Sequence, residues 1–188
     1  MYFNSNGKEN TAKAVEIAVQ AALKRRISHI VAASNTGSTV LALADEVKKL
    51  GYEGRIVCVS HVYGYAESGE NELTEKARED LEKRGIRVCT AAHALSGAER
   101  CISRKFQGAY PVEIIAQSLR MFGQGTKVCV EVSVMALDAG LIPFRAPVIA
   151  IGGTTRGADT AVLLTPSYSS DILDTKIHEI LCKPNGLM

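Results

Sequence analysis

Apolar and polar positions along the chain follow two periods in turn: the short continuous runs of strands and the 3.6-residue stripe of amphipathic helices. Residues 10 to 26 predict a helix capped by Asn10 or Thr11, with Ala14, Ala18, Ala21 and Ala22 on one small, closely packing face. The apolar run SHIVAAS, residues 28 to 34, predicts a short strand buried on both sides. A polar turn follows. The next helix carries Val40, Leu43, Ala44, Val47 and Leu50 as one stripe, and Gly51 ends it. The unit then repeats: RIVCVS (55–60) is a strand, 61–70 a polar loop, and Leu73, Ala77 and Leu81 mark a helix stopped by Gly85, after which IRVCTA is the next strand.

The second half is less regular. Residues 91–109 predict a long irregular stretch, and Pro111 starts a helix with Ile115, Leu119 and Phe122 facing inward, ended by Gly123 or Gly125. KVCVEVSV and PVIAIGG predict two more buried strands, with a short helical segment from Met135 to Ala139 between them. AVLLTP predicts a final strand, antiparallel at an edge, and Ser170 is expected to cap a last helix carrying Leu173, Ile177 and Ile180. The expected fold is a single α/β domain over residues 1–188. Its doubly wound, mostly parallel sheet has about six strands in a three-layer α/β/α arrangement. Such sheets bind ligands beyond the carboxyl ends of their strands. Four loops therefore matter: 34–39, 60–69, 91–109 and 152–159.

Composition narrows the function classes. The 188 residues carry 22 basic and 20 acidic side chains, a net charge of +2, which argues against a large phosphate-neutralising face for nucleic acid. Hydrophobic residues make up 46%, enough for a sizeable core, yet no apolar run approaches the ~18–20 residues that span a bilayer. The opening MYFNSNGKEN lacks the basic and apolar segments of a signal peptide, so the expectation is a cytoplasmic protein with neither nucleic-acid nor membrane partners. Five cysteines at wide spacings fit a reducing compartment, and Cys58, Cys89 and Cys129 sit in β-branched apolar runs where a thiol behaves as a small hydrophobe.

The chemistry concentrates in Ser34-Asn35-Thr36-Gly37-Ser38-Thr39, which joins a buried strand directly to a helix N-terminus. Backbone N–H groups there lack partners and the helix dipole is positive, so a phosphate is bound without any lysine. Gly37 lets the backbone come close. A tight turn with a Ser or Thr cap is the plainer alternative, but six small or polar residues in a row exceed what one cap requires. The second glycine loop, Gly152-Gly153-Thr154-Thr155-Arg156-Gly157-Ala158-Asp159, also follows a buried strand. Its paired glycines permit contact with a flat ring or a phosphate, while Asp159 is either an acceptor for a ligand hydroxyl or a local cap.

His61 ends a strand at the same sheet edge, followed by Tyr63 and Tyr65. It is either an ordinary hydrogen-bonding residue or a proton-transfer group. Glu131, a carboxylate in an apolar run, implies a salt bridge or a site carboxylate. The basic, aromatic segment 96–110 has two readings: a lid over an anionic ligand, or a homo-oligomer contact.

Two resemblances meet at the first loop. Residues 34–39 fit the [ST]-x-T-G-x-T pattern by which flavodoxins hold the phosphate of flavin mononucleotide (FMN). More broadly, Asn10-Thr11-Ala12, Ala21-Ala22 and His29 through Thr39 resemble the first helix, strand and turn of the pyruvate kinase C-terminal α/β domain. In regulated pyruvate kinases that turn holds a phosphate of a sugar bisphosphate. KVCVEVSVMALDAGLIP and IGGTTRGADTA are similar to a signature of small stand-alone relatives from archaea and anaerobic bacteria. Nothing resembles the kinase's catalytic barrel, so the resemblance implies the fold and not kinase activity. It implies a phosphorylated small-molecule ligand, with FMN the leading cofactor. Ser34 to Thr39, His61, Tyr63, Gly152, Gly153, Thr154 and Asp159 would bind it, and His61 and Glu131 are the candidate acid–base groups. A non-catalytic sensor of a phosphorylated metabolite and an enzyme acting on one are the alternatives.

Overall fold

A computed structural model describes residues 1–186. Along the chain it contains β1 (Tyr2–Phe3), α1 (Thr11–Arg25), β2 (His29–Ala33), α2 (Ser38–Leu50), β3 (Arg55–Ser60), α3 (Glu75–Lys83) and β4 (Arg87–Thr90). It continues through α4 (Glu99–Phe106), α5 (Pro111–Arg120), α6 (Gln124–Asp138), β5 (Val148–Gly152), β6 (Thr160–Thr165) and β7 (Lys176–Pro184). The strands form one seven-stranded sheet in the order β1-β7-β6-β5-β2-β3-β4. β2 pairs in parallel with both β3 and β5, while β6 runs antiparallel to β5 and to β7.

Alternation along the strands divides the core in two. Ile30, Ala32, Ile56, Cys58, Ile149 and Ile151 pack under α1 to α3, against Ala18, Val19, Val40, Leu43 and Leu81. Val31, Val57, Val59, Val148 and Ala150 point to the other face, against Cys129, Val132 and Ala136 of α6. Both faces of the central strands are thus covered, as a parallel sheet requires. Gly51 closes α2 in the left-handed conformation with its N–H bonded to the Val47 carbonyl, the expected termination.

Several expectations are corrected. KVCVEVSV is not a strand but the middle of α6, which is buried from Cys129 to Leu137. A helix wedged between a sheet and another helix is apolar all round, so its 3.6 period disappears, and tertiary burial overrides the β propensity of Val. Internal polar contacts support it at helical spacing: the Ser133 hydroxyl donates to the Cys129 carbonyl, and Lys127 pairs with Glu131. The sheet keeps its size because the chain's last segment supplies β7 in place of a Ser170-capped helix. Only a 3-10 turn at Ser169–Asp174 forms there, and Leu173 and Ile177 are exposed. β6 is therefore an interior strand and neither the last nor an edge. The short β1 lies on β7, tied by the Met1 amino group to the Leu181 carbonyl at 2.7 Å. Residues 91–109 are not wholly irregular, since they contain α4, and Phe122 faces solvent.

Asp159 locks the amino-terminal segment onto the β5–β6 connection. Its buried carboxylate accepts from the Gly7 and Thr154 amides and from the Thr154 and Thr160 hydroxyls, at 2.7 to 3.2 Å. Asp159→Ala strands these donors in a dry site, and we expect urea denaturation to show a loss of about 2–4 kcal/mol.

Candidate functional site

The strand order switches direction at β2: the chain proceeds to β3 and β4 on one side and returns to β5 on the other. Their carboxyl ends open into a cavity of about 570 Å³. Its floor is the start of α2. Gly37 holds φ at +89°, a conformation natural to glycine, and turns the chain straight from strand to helix. No side chain caps α2, although Asn35, Thr36 and Ser38 are all nearby. Among the described residues, no acceptor takes the amides of Thr36, Gly37, Ser38 and Thr39. Ser34 lines the cavity, and its buried Oγ has no hydrogen-bond partner among the described residues. Unmet donors, a positive helix end and an orphaned hydroxyl together make an anion cradle.

Beside the cradle, one carboxylate joins the three strand ends. Glu72 accepts from Asn35 Nδ2 at 2.8 Å, pairs with His61 Nδ1 at 2.6 Å and lies 3.5 Å from the Arg156 guanidinium. Asn71 fixes the turn that presents it: its Nδ2 donates to the His61 carbonyl and its Oδ1 accepts from the Leu73 amide. Tyr65 lies on the His61 ring, with centroids 3.8 Å apart, and the His93 ring is 5.4 Å from His61.

The opposite wall comes from α4, α5 and α6. Lys127 and Glu131, one helical turn apart, form a buried pair at 2.5 Å, and the other Glu131 oxygen accepts from the Leu95 amide. Glu131 therefore anchors the β4–α4 connection. Glu99 of α4 caps α5 by accepting from the Val112 and Glu113 amides. Arg100 and Arg120 also reach this wall. Arg120 is held by Gln124, while the Arg100 side chain makes no hydrogen bond or ion pair among the described residues.

The structure brings Ser34, Asn35, Thr39, His61, Glu131, Gly153 and Thr154 to the cavity wall. Thr36, Gly37 and Ser38 form the helix entry beneath it. Three expected contacts lie elsewhere. Tyr63 is exposed and donates to Glu75. Gly152 faces its own protein, because a Cβ there would come within 2.8 Å of the Gly125 carbonyl. Asp159 is engaged by the four donors described above. Arg100 falls in the segment 96–110 expected as a lid or an oligomer contact, while Glu72, Lys127 and Arg120 were not foreseen. Extending the 61–70 loop as far as Thr74, the cap of α3, would have exposed Glu72.

A family model described as the pyruvate kinase alpha/beta domain matches residues 12–164. Among solved structures, a pyruvate kinase from Cryptosporidium parvum is similar at 13% identity, covering 81% of this chain and 22% of that one, with a TM-score of 0.41. The Cryptosporidium parvum pyruvate kinase in complex with ADP gives 14% identity, 89% and 23% coverage, and a TM-score of 0.40. The chain spans about a fifth to a quarter of the length of these proteins.

Two predictions follow from the buried polar groups. Lys127→Met leaves the Glu131 carboxylate buried and unpaired, and calorimetry should show a loss of about 3–5 kcal/mol; Lys127→Met with Glu131→Leu should recover most of it. Burial pushes the His93 imidazole below its ordinary value of 6.5, helped by His61, Lys127 and Arg100 and opposed by Glu131. The unfolded chain then takes up that proton first. The associated stability is complete above pH 6.5 and is lost as the pH falls through the folded value. NMR titration of the ring protons should place the His93 midpoint below 6.5.

Proposed function

The chain belongs to the pyruvate kinase α/β-domain family, and on that footing we propose that it binds a phosphorylated small molecule in the strand-end cavity, in the manner of an effector site. The observation that carries this reading is the uncapped α2 N-terminus facing the orphaned Ser34 hydroxyl. A phosphate there accepts from the amides of residues 36 to 39 and from Ser34, and Arg156 and Arg100 supply positive charge at the rim. The rest of the wall is rich in charge and hydrogen-bonding groups, including Gln117, Thr154 and Glu113. That lining favours a polar, hydroxylated body over a flat apolar ring.

FMN is the second reading. Tyr65, an exposed ring tilted 37° against His61 at the cavity wall, favours it, because it offers surface to a ring beside the cradle. Its phosphate would occupy residues 36 to 39, and Asn35 and Thr154 would meet its ribityl hydroxyls. Bound FMN would supply electron-transfer chemistry that the chain's own side chains lack.

The absorption spectrum of the purified protein separates the two. Bands near roughly 370 and 450 nm that release FMN on denaturation support the flavin. The effector-type reading predicts a colourless protein whose melting temperature rises by about 5–10 °C with sugar phosphate at a hundredfold excess over Kd. In either case Ser34→Ala should weaken phosphate binding about tenfold without lowering the stability of the ligand-free protein, since it removes an unsatisfied buried hydroxyl. A protein that neither carries FMN nor responds to phosphorylated compounds contradicts both.

A further inference from the structure

His61 is equipped beyond what ligand binding needs. Its Nδ1 is committed to Glu72, while Nε2 has no hydrogen-bond partner among the described residues and the ring borders the cavity. The Tyr65 ring packs against it at a 37° tilt, with centroids 3.8 Å apart. Glu72 is itself fixed, by Asn35 and Arg156. A carboxylate on one imidazole nitrogen sets the tautomer and stabilises the protonated ring, which prepares the other nitrogen to take a proton and give it back. Parallel pairing of Ala33 with Val59 brings the loop after β2 abreast of His61, so His61 borders the same cavity as the phosphate cradle.

Such a base serves either an O–H nucleophile or a C–H bond made acidic by a neighbouring electron-withdrawing group, of which a carbonyl is the commonest. The same cavity carries what such a carbonyl requires. The His93 ring lies 5.4 Å from His61, and burial disfavours its charged form, so it can donate a hydrogen bond as a neutral imidazole. The Lys127 ammonium, paired with Glu131, lines the cavity as well. We propose that His61, oriented by Glu72, removes and returns the proton on a carbon next to the carbonyl of a phosphorylated hydroxy-aldehyde or hydroxy-ketone anchored on the α2 N-terminus. The C–H bond breaks and an N–H bond forms at Nε2. The electron pair moves into the new C–C double bond, and the carbonyl oxygen gains charge facing His93 and Lys127. Return of the proton to the same carbon completes an exchange; return to the former carbonyl carbon, with the proton of the neighbouring hydroxyl passing to the former carbonyl oxygen, completes an isomerisation with no net oxidation or reduction. His61 is then the catalytic residue and Glu72 a positioning residue.

This inference rests on the phosphorylated-metabolite reading, and one experiment separates the two. The full chain is incubated in D2O with dihydroxyacetone phosphate, ribose 5-phosphate or fructose 6-phosphate. Loss of the C–H signal beside the carbonyl is followed by proton NMR against a protein-free control, and binding of each compound is measured by calorimetry. The expected result is exchange above background for at least one compound that binds. His61→Gln should lower that exchange about 100-fold or more while the affinity stays within about threefold. Glu72→Gln should lower the exchange rate about tenfold or more with the affinity little changed, a split that a purely structural role would not produce. Binding without exchange for all three compounds, or exchange that survives in His61→Gln, overturns the proposal. Absence of binding by the wild type overturns the reading on which it rests.

Discussion

Parallel pairing of β2 with β3 on one side and β5 on the other is the constraint from which the rest follows. It sets three strand ends side by side at one rim of the sheet. Each must discharge into a loop on the same side, and the direction of winding reverses between β2 and β5. A crevice at that point is a consequence of topology and not of any one residue. Register does the finer placement: Ala33 opposite Val59, with the Ser34 amide bonded to the Val59 carbonyl, fixes Asn35 and His61 as neighbours. One carboxylate, Glu72, then serves both.

The polar residues divide into those that close the structure and those that leave valence open. Asp159 is saturated by four donors, and Glu131 by Lys127 and the Leu95 amide. Glu99 is consumed in capping α5. These groups hold the amino-terminal segment, the β4–α4 connection and the α4–α5 hairpin around the cavity. By contrast, the amides of residues 36 to 39, the Ser34 hydroxyl and the Arg100 guanidinium have no internal partners among the described residues. All of them border the cavity or its floor. Ser34, Gly37 and Thr39 lie buried, where unmet hydrogen-bonding capacity is costly, while Thr36, Ser38 and Arg100 are exposed to solvent beside them.

The amino-terminal half was legible because its helices keep one solvated face and its central strands are short apolar runs set off by polar turns. α2 shows a full stripe from Val40 to Leu50 and a glycine stop, and β2 and β3 are apolar runs bounded by polar turns. The carboxyl-terminal half misled for physical reasons. α6 is enclosed on all sides, so alternating Val and Cys imitated a strand, although an apolar run continuing to Leu137 is too long for one. Ile177 and Ile180 matched a helical spacing, yet the segment was needed to cover β6, and Ile180, Leu181 and Cys182 pack into the two cores. Loop 34–39 announced itself by local composition. Glu72, Lys127 and Arg120 did not, because what matters about them is a partner or a cavity that only the folded chain supplies.

The central claim is that the α2 N-terminus is an anion site. Its most direct test is a titration of the 15N-labelled protein with inorganic phosphate, following the backbone amides one by one. The account predicts saturable downfield shifts concentrated at Thr36, Gly37, Ser38 and Thr39, with little change at the other helix N-termini. Shifts confined to other helix starts or to surface lysines, with residues 36 to 39 unmoved, would contradict it.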